Sequence, residues 1–171
     1  VAMLLLSSII VFTGTFASWQ LKPMTKEYFL WFTLLSAGVF GFFISTDLFT
    51  MFMFYEVALI PMYLLIGVWG SGQKEYAAMK LTLMLMGGSA FLLMGILGIF
   101  YGGGGDTMSL LDIAQRHIPT EMQRLFFPLI FLGFGVLGAL FPFHTWSPDG
   151  HASAPTAVSM LHAGVLMKLG A

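Results

Sequence analysis

Four ionisable side chains lie within long apolar runs, where they could exchange protons. They are Glu56, Lys80, His162 and Lys168. A charged group in the middle of a bilayer is costly, so one that is kept there needs a partner, water or a task. Low-dielectric surroundings disfavour the charged form of both carboxyl and ammonium groups, which brings their protonation equilibria closer to neutral pH. These residues therefore predict a path for protons.

Glu56 and Lys168 are predicted to lie at similar depth. Glu56 is the ninth residue of its apolar run, which at 1.5 Å per residue places it ~12 Å from the start of the helix. Lys168 is the thirteenth residue of the last run, ~18 Å from the opposite boundary of a core ~30 Å thick. A static ion pair that only fixes packing is the alternative. His162 is either a relay or a core histidine, and the amine of Lys80 could instead extend to water.

A proline-rich connector carries a second set of candidate ligands. Residues 141–155 read FPFHTWSPDGHASAP, with three prolines beside His144, Asp149 and His151. Imidazole and carboxylate groups suit zinc or iron. The stretch lacks the His-x-x-x-His spacing of a helical metal site, however, so no metal is expected. Because proline kinks or ends helices, the connector is predicted not to form a regular helix.

Apolar runs long enough to cross a bilayer must position these residues. About 20 apolar residues span a hydrocarbon core of about 30 Å. About six runs are present, at residues 1–17, 28–44, 48–69, 76–101, 125–143 and 156–171, with the first and last cut short. The segment 102–124 is expected to be an interfacial loop. The pattern predicts an all-α fold, a polytopic transmembrane helix bundle in a single unit.

Composition excludes several classes of protein. Of the 171 residues, 58% are hydrophobic and only 9% are charged, far from the ~25% charged residues of a soluble domain. The net charge of −1 offers no basic field for nucleic acid. Cysteine is absent, which excludes disulfides and Cys-ligated clusters within this sequence, and no cofactor is expected in this chain. The chain is expected to be a fragment, because it begins without Met and its last residue lies inside an apolar run.

Four motifs together form a specific pattern. They are STDLFTMFMFYE at 45–56, FPFHTW at 141–146, PDGH at 148–151 and SMLHAGVLMKLG at 159–170. With them, the chain resembles over nearly its whole length the subunit M, or chain 4, family of proton-pumping NADH:quinone oxidoreductase (complex I). The resemblance implies a fourteen-helix protein with two inverted five-helix repeats, of which this chain supplies one half. It also implies a broken helix near 133–142, and Gly138, Pro142 and Pro61 are suited to helix breaks.

The resemblance also implies roles for the ionisable residues. Glu56 matches the family's essential acid, Lys80 and Lys168 match its amines, and His162 falls at the position of a polar relay. The sequence departs from the pattern at Leu137, where the family carries the lysine that partners the acid. We expect Lys80 to pair with Glu56 instead, and Lys168 to link onward to the missing half. The alternatives are that Glu56 stays protonated, that Lys168 reaches it through water, or that this half-channel no longer pumps.

The function implied by the resemblance is that of a membrane subunit with a proton half-channel, coupled to electron transfer elsewhere in the complex. Related subunits of Mrp-type cation/proton antiporters and of membrane-bound hydrogenases share much of the pattern and remain alternatives, as does a non-pumping scaffold. The expected partners are other membrane subunits, the lipid bilayer and a quinone bound elsewhere in the complex. The expected location is a bacterial cytoplasmic membrane or an equivalent energy-converting membrane.

Overall fold

A computed structural model describes residues 1–22 and 24–171 and consists of helices and short connections. The helices are α1 (Ala2–Ala17), α2 (Thr25–Ile44), α3 (Leu48–Trp69), α4 (Lys74–Gly102), α5 (Leu110–Gln115), α6 (Thr120–Leu137), α7 (Trp146–Ser153) and α8 (Thr156–Gly164), followed by a 3-10 segment at Leu166–Gly170. Within the described ranges no strand occurs, and one isolated bridge joins Asp47 to Ser109. The all-α prediction is confirmed.

Four helices, α2, α3, α4 and α6, are long and apolar enough to cross a membrane, and α1 is a shorter apolar helix. Their outer faces carry exposed large apolar side chains, among them Leu30, Ile60 and Leu83, each at least 60% exposed. The inner faces bury Tyr28, Tyr55 and other large side chains completely. Because apolar side chains occupy both faces, the bundle suits surroundings of lipid or other membrane helices rather than water.

Small residues allow the long helices to pack closely. A Cβ atom added to Gly133 of α6 would lie 2.7 Å from the Cβ of Leu92 of α4, and one added to Gly88 would lie 2.8 Å from the Cβ of Val136. Such contacts leave no room for a side chain, so the backbones of α4 and α6 meet directly, as membrane helices often do at glycines. This contact holds the end of α6 against α4, beside the interruption described next.

The helix at 125–143 was predicted to be broken near its end, and α6 does end early, at Leu137. The N–H of Leu140 donates to the carbonyl of Gly135 at 2.8 Å, and Ala139 has a φ of 54°, so the chain turns directly after Gly138. The Phe141–Pro142 peptide bond is cis. The predicted fold class, with its break near 133–142, is confirmed.

The connector prediction was wrong for its second half, because Trp146–Ser153 forms the helix α7. Pro148 is the third residue of this helix, where the backbone N–H would have no partner inside the helix, so proline is tolerated there. The helix ends before Pro155, and Ala154 is extended with a ψ of 146°, as expected for a residue that precedes proline.

Two further expectations about helices differ from the structure. The last apolar run is not one helix: α8 ends at Gly164, Val165 leaves the helical region with φ −131° and ψ −57°, and a 3-10 segment follows. Pro61 does not break α3, which continues on both sides of this buried proline. The loop 102–124 contains the short helix α5 and the first turn of α6.

Candidate functional site

Glu56 lies in a groove between α3 and α4. The groove has a volume of about 340 Å³ and its lining includes Met53, Ile60, Thr82 and Met86. The Oε1 atom of Glu56 is buried and has no hydrogen-bond partner among the described residues. A buried carboxyl oxygen without a partner costs free energy that water, a proton or a cation can recover. Glu56 therefore carries an unsatisfied acceptor within the described residues.

Lys80 pairs with Asp149 and not with Glu56, so the expected Lys80–Glu56 pair is wrong. The Nζ atom of Lys80 donates to Oδ2 of Asp149 at 2.6 Å, and the two side chains are 25% and 43% exposed. The same Nζ lies 5.7 Å from the ring centre of Tyr76. Of the ion pairs found in residues 1–22 and 24–171, none includes Glu56.

Sequence reasoning missed Asp149 as an ionisable partner. It was considered only as a metal ligand in the connector, and groups of three or more metal-binding side chains are absent from the part of the chain that the structure describes. The signal that could have found it is its place in the first turn of α7, where a carboxylate is favoured by the helix dipole. Recognising that signal requires knowing that α7 is a helix.

His162 lies in a stack of three rings. The rings of Trp146 and His162 are 5.2 Å apart at 12°, and those of His151 and His162 are 4.3 Å apart at 23°. His162 is fully buried, and neither of its ring nitrogens has a hydrogen-bond partner in the described residues. The Nδ1 atom of His151 lies 2.9 Å from the Oγ of Ser159. Two imidazoles in contact, one of them half-buried and one buried, can hold or pass a proton.

Trp146 fixes this stack to the end of α6. Its Nε1 donates to the carbonyl of Val136 at 3.1 Å, which gives a partner to a carbonyl group in the last turn of α6. Leu137, at the position where the resembled family carries lysine, is fully buried. The interruption after Leu137 thus places the start of α7 beside the end of α6.

Lys168 is exposed and stands apart from the other candidates. It lies in the 3-10 segment after α8, and the described residues offer its amine no hydrogen-bond or ion-pair partner. The predicted depth of Lys168 assumed a continuous helix from Thr156, and that helix ends at Gly164. The equal depth of Glu56 and Lys168 therefore no longer follows from residue counting.

Comparisons with known proteins match this arrangement to one group of membrane proteins. Residues 45–171 match a family described as NADH:quinone oxidoreductase/Mrp antiporter, TM. NAD(P)H-quinone oxidoreductase chain 4 2 of Thermosynechococcus vestitus is 38% identical over 171 residues, covering 99% of this chain and 32% of that protein. The chloroplastic NAD(P)H-quinone oxidoreductase chain 4 of Citrus sinensis is 40% identical over 164 residues, covering 94% of this chain and 33% of that protein.

Among solved structures, respiratory complex I from Thermus thermophilus with bound NADH contains a chain with a TM-score of 0.88 and 26% identity. The alignment covers 99% of this chain and 35% of that one. The chain spans about a third of the length of the curated relatives it matches.

Proposed function

This chain belongs to the NADH:quinone oxidoreductase/Mrp antiporter transmembrane family and is an integral membrane protein, and from that premise we propose that it carries a proton half-channel in a membrane subunit of a proton-pumping quinone oxidoreductase. Electron transfer would take place in other subunits of that complex. The chain's own task would be to move protons between ionisable side chains, and we propose that it holds no redox cofactor.

The observation that carries this proposal is the state of Glu56. A carboxyl group sits in a membrane-length helix with one oxygen buried and unpaired among the described residues. A group that only stabilised the bundle would be expected to have a partner, because a buried unpaired oxygen costs about 1–3 kcal/mol. A group that receives and releases protons needs access to water or to a changing partner, and the groove between α3 and α4 supplies room for either.

The imidazole stack supplies a second group suited to proton transfer. His151 and His162 are in contact, and Trp146, which stacks on His162, donates a hydrogen bond to the Val136 carbonyl at the end of α6. Lys168 would face the part of the longer protein that lies beyond this chain. The groove at Glu56 and the exposed apolar faces would be covered by other helices of the same protein, by other membrane subunits or by lipid.

The family description also names the Mrp antiporter, and a subunit of a cation/proton antiporter is therefore the second candidate. A non-pumping scaffold is the third, and the buried Leu137 in place of a lysine favours it. Dependence of transport on sodium or potassium would separate the antiporter from a proton pump. An assembled, electron-transferring complex without proton movement would indicate the scaffold.

The test is Glu56→Gln in the full-length protein within its complex, reconstituted into vesicles. Glutamine keeps the size of the side chain but cannot ionise, so proton movement per quinone reduced should fall at least about tenfold while assembly is retained. Glu75→Gln is the matched control, because Glu75 is exposed at the start of α4. If proton movement in the Glu56→Gln complex equals that of the Glu75→Gln complex, the proposed function fails for this segment.

A further inference from the structure

We propose that Asp149 is the residue at which this path takes up protons from water, with Lys80 as its fixed counter-charge. The proposal rests on the proposed proton path and adds to it the residue that takes up protons and the location of its entrance. Asp149 and Lys80 stand at the boundary between a water-facing pocket on one side of α7 and the imidazoles of His151 and His162 on the other.

The pocket lies at the end of the bundle where α3 ends and α4 begins. It has a volume of about 240 Å³, and its lining includes Ser71, Gln73, Tyr76, Asp149 and Ser153. Residues 71–73 of the connecting loop are exposed. Among the described residues that line the pocket, Asp149 is the only carboxylate. Water that enters the pocket therefore reaches one group that can accept a proton from it.

Positive charge gathers at this end of the bundle. Lys74 begins α4, and Lys22 and Lys26 flank the start of α2, which is joined to the end of the preceding helix. Membrane proteins concentrate Lys and Arg in their cytoplasmic connections, so this end is assigned to the side from which an outward pump draws protons. The Nζ atom of Lys74 is held by the carbonyl of Val68 at 2.8 Å, which leaves Asp149 to Lys80.

Lys80 keeps the carboxylate of Asp149 in place at the edge of the apolar region. Lys80 is six residues beyond the start of α4, ~9 Å along the helix axis. The Nζ atom of Lys80 lies 2.6 Å from Oδ2 of Asp149 and fixes the carboxyl group in position, and the Asp149 side chain is 43% exposed, so water can reach it. Asp149 is thus both held in place and accessible to water.

The inner side of α7 lies against the imidazoles. Gly150 separates Asp149 from His151, and a Cβ atom added to it would lie 3.5 Å from Cε1 of His162 and 3.0 Å from Cδ1 of Leu81. One residue of α7 therefore divides the carboxylate from the buried ring. Neither ring nitrogen of His162 has a partner within the described residues, so the ring retains the capacity to bind a water molecule or a proton.

The transfer is balanced without any further reactant. A hydronium ion in the pocket gives its proton to an oxygen of Asp149 and leaves as water. The protonated carboxyl group of Asp149 then gives its proton to a water molecule next to His151 and returns to the carboxylate. That water molecule passes a proton on to Nε2 of His151. Lys80 keeps its three protons throughout and serves only as counter-charge.

A structural role is the competing explanation, because the ion pair also joins α7 to α4. The backbone already makes such a connection where the N–H of Ser71 donates to the carbonyl of Ser153 at 2.8 Å. The experiment must therefore separate loss of a proton carrier from loss of a helix contact.

The first measurement uses Asp149→Asn in the full complex in vesicles, with Asp47→Asn as the control. Asp47 is a carboxylate at the start of α3, at the other end of that helix, and asparagine can still cap it. We expect a fall of at least about tenfold in proton movement for Asp149→Asn and little change for Asp47→Asn. Added acetate or formate should then restore proton movement, since a small weak acid fits the pocket and can carry the proton. Failure of the weak acid to restore movement would overturn the proposal, because a lost helix contact is not replaced by a soluble acid.

A second variant covers the case in which Asp149→Asn does not assemble. Ser71→Cys, in a background without other reactive cysteines, leaves the ion pair intact, and its thiol can be alkylated after assembly. Alkylation should lower proton movement by filling the pocket, whereas alkylation of Thr120→Cys at the opposite end of the bundle should not. Full proton movement after alkylation at position 71 would overturn the proposal.

Glu56→Gln distinguishes failure of the proposed function from failure of the uptake proposal. If Glu56→Gln stops proton movement while the Asp149 and Ser71 variants do not, the proposed function stands and Asp149 is not the uptake residue.

Discussion

The Nζ atom of Lys80 and the Oδ2 atom of Asp149 are 2.6 Å apart, and this ion pair connects α4 to a helix that begins 66 residues after Lys80. The sequence analysis predicted that Lys80 would pair with Glu56, and its amine pairs with Asp149 instead. Glu56 consequently has no cation among the described residues, while the connector gains an ion pair to α4 two residues before His151. The distribution of charge in this segment is therefore set by the position of α7.

Lys80→Met and Asp149→Asn should destabilise the bundle by amounts that do not add. Each single change leaves one charge of a partly exposed pair without its partner, whereas the double change removes both charges. The double variant is therefore expected to unfold at a higher temperature than the sum of the two single effects predicts. Thermal unfolding in detergent measures this, and strict additivity would show that the two groups do not interact in the folded protein.

His162→Phe should leave assembly intact and abolish most proton movement. Phenylalanine preserves the stacking with Trp146 and His151 and removes two unpaired ring nitrogens, so packing is kept. The comparison is Trp146→Phe, which loses the hydrogen bond to the Val136 carbonyl and is expected to cost about 1 kcal/mol of stability. Unchanged proton movement with His162→Phe would identify His162 as a core residue only.

Leu137→Lys should be tolerated only when Glu56 is present. The resembled family pairs a lysine at this position with the acid of α3, and Leu137 is fully buried, so a new ammonium group there needs a partner. We expect the single variant to assemble and the double variant Leu137→Lys with Glu56→Gln to lose stability or assembly. Equal stability of the two variants would show that the groups do not meet. A gain of proton movement in the single variant would show that Leu137 alone limits the path.

Gly133→Ala should weaken the contact between α4 and α6. The added methyl group would lie 2.7 Å from the Cβ of Leu92 and 2.9 Å from its backbone, so the helices must separate, at a cost of about 1–3 kcal/mol. Gly87→Ala is the control: Gly87 lies on α4, the helix that Gly133 contacts, and nothing lies within 4 Å of a Cβ atom added there. A drop in unfolding temperature for both variants alike would point to a general effect of glycine replacement instead of this contact.

The sequence was sufficient for the elements with the strongest local signal. Runs of about 20 apolar residues predicted α2, α3 and α4 closely, since the length of a membrane helix follows from the thickness of the bilayer. The break after α6 could also be anticipated, because the glycines before it and Pro142 disfavour a continuous helix. Glu56 and His162 stood out as candidates for the same reason, namely that polar side chains are rare in such runs.

The contacts that these ionisable residues make could not be predicted from the pattern of apolar runs. Whether Pro148 ends or begins a helix depends on which backbone N–H groups have other partners, and the apolar pattern does not record this. The same limit applies at Val165, where a run that is apolar throughout leaves the α-helix. Depth counted along an assumed helix therefore failed for Lys168.

By itself the amino-acid sequence determined that this protein is a bundle of membrane helices with a small set of ionisable groups inside it, because burial in lipid depends on composition and length alone. The tertiary structure decided that Lys80 pairs with Asp149, that His151 and His162 stack, and that Glu56 remains without a partner in the described residues. Ion pairs and ring contacts between distant residues depend on distances of a few ångströms across the packed helices, and these are fixed only when α7 folds back against α4.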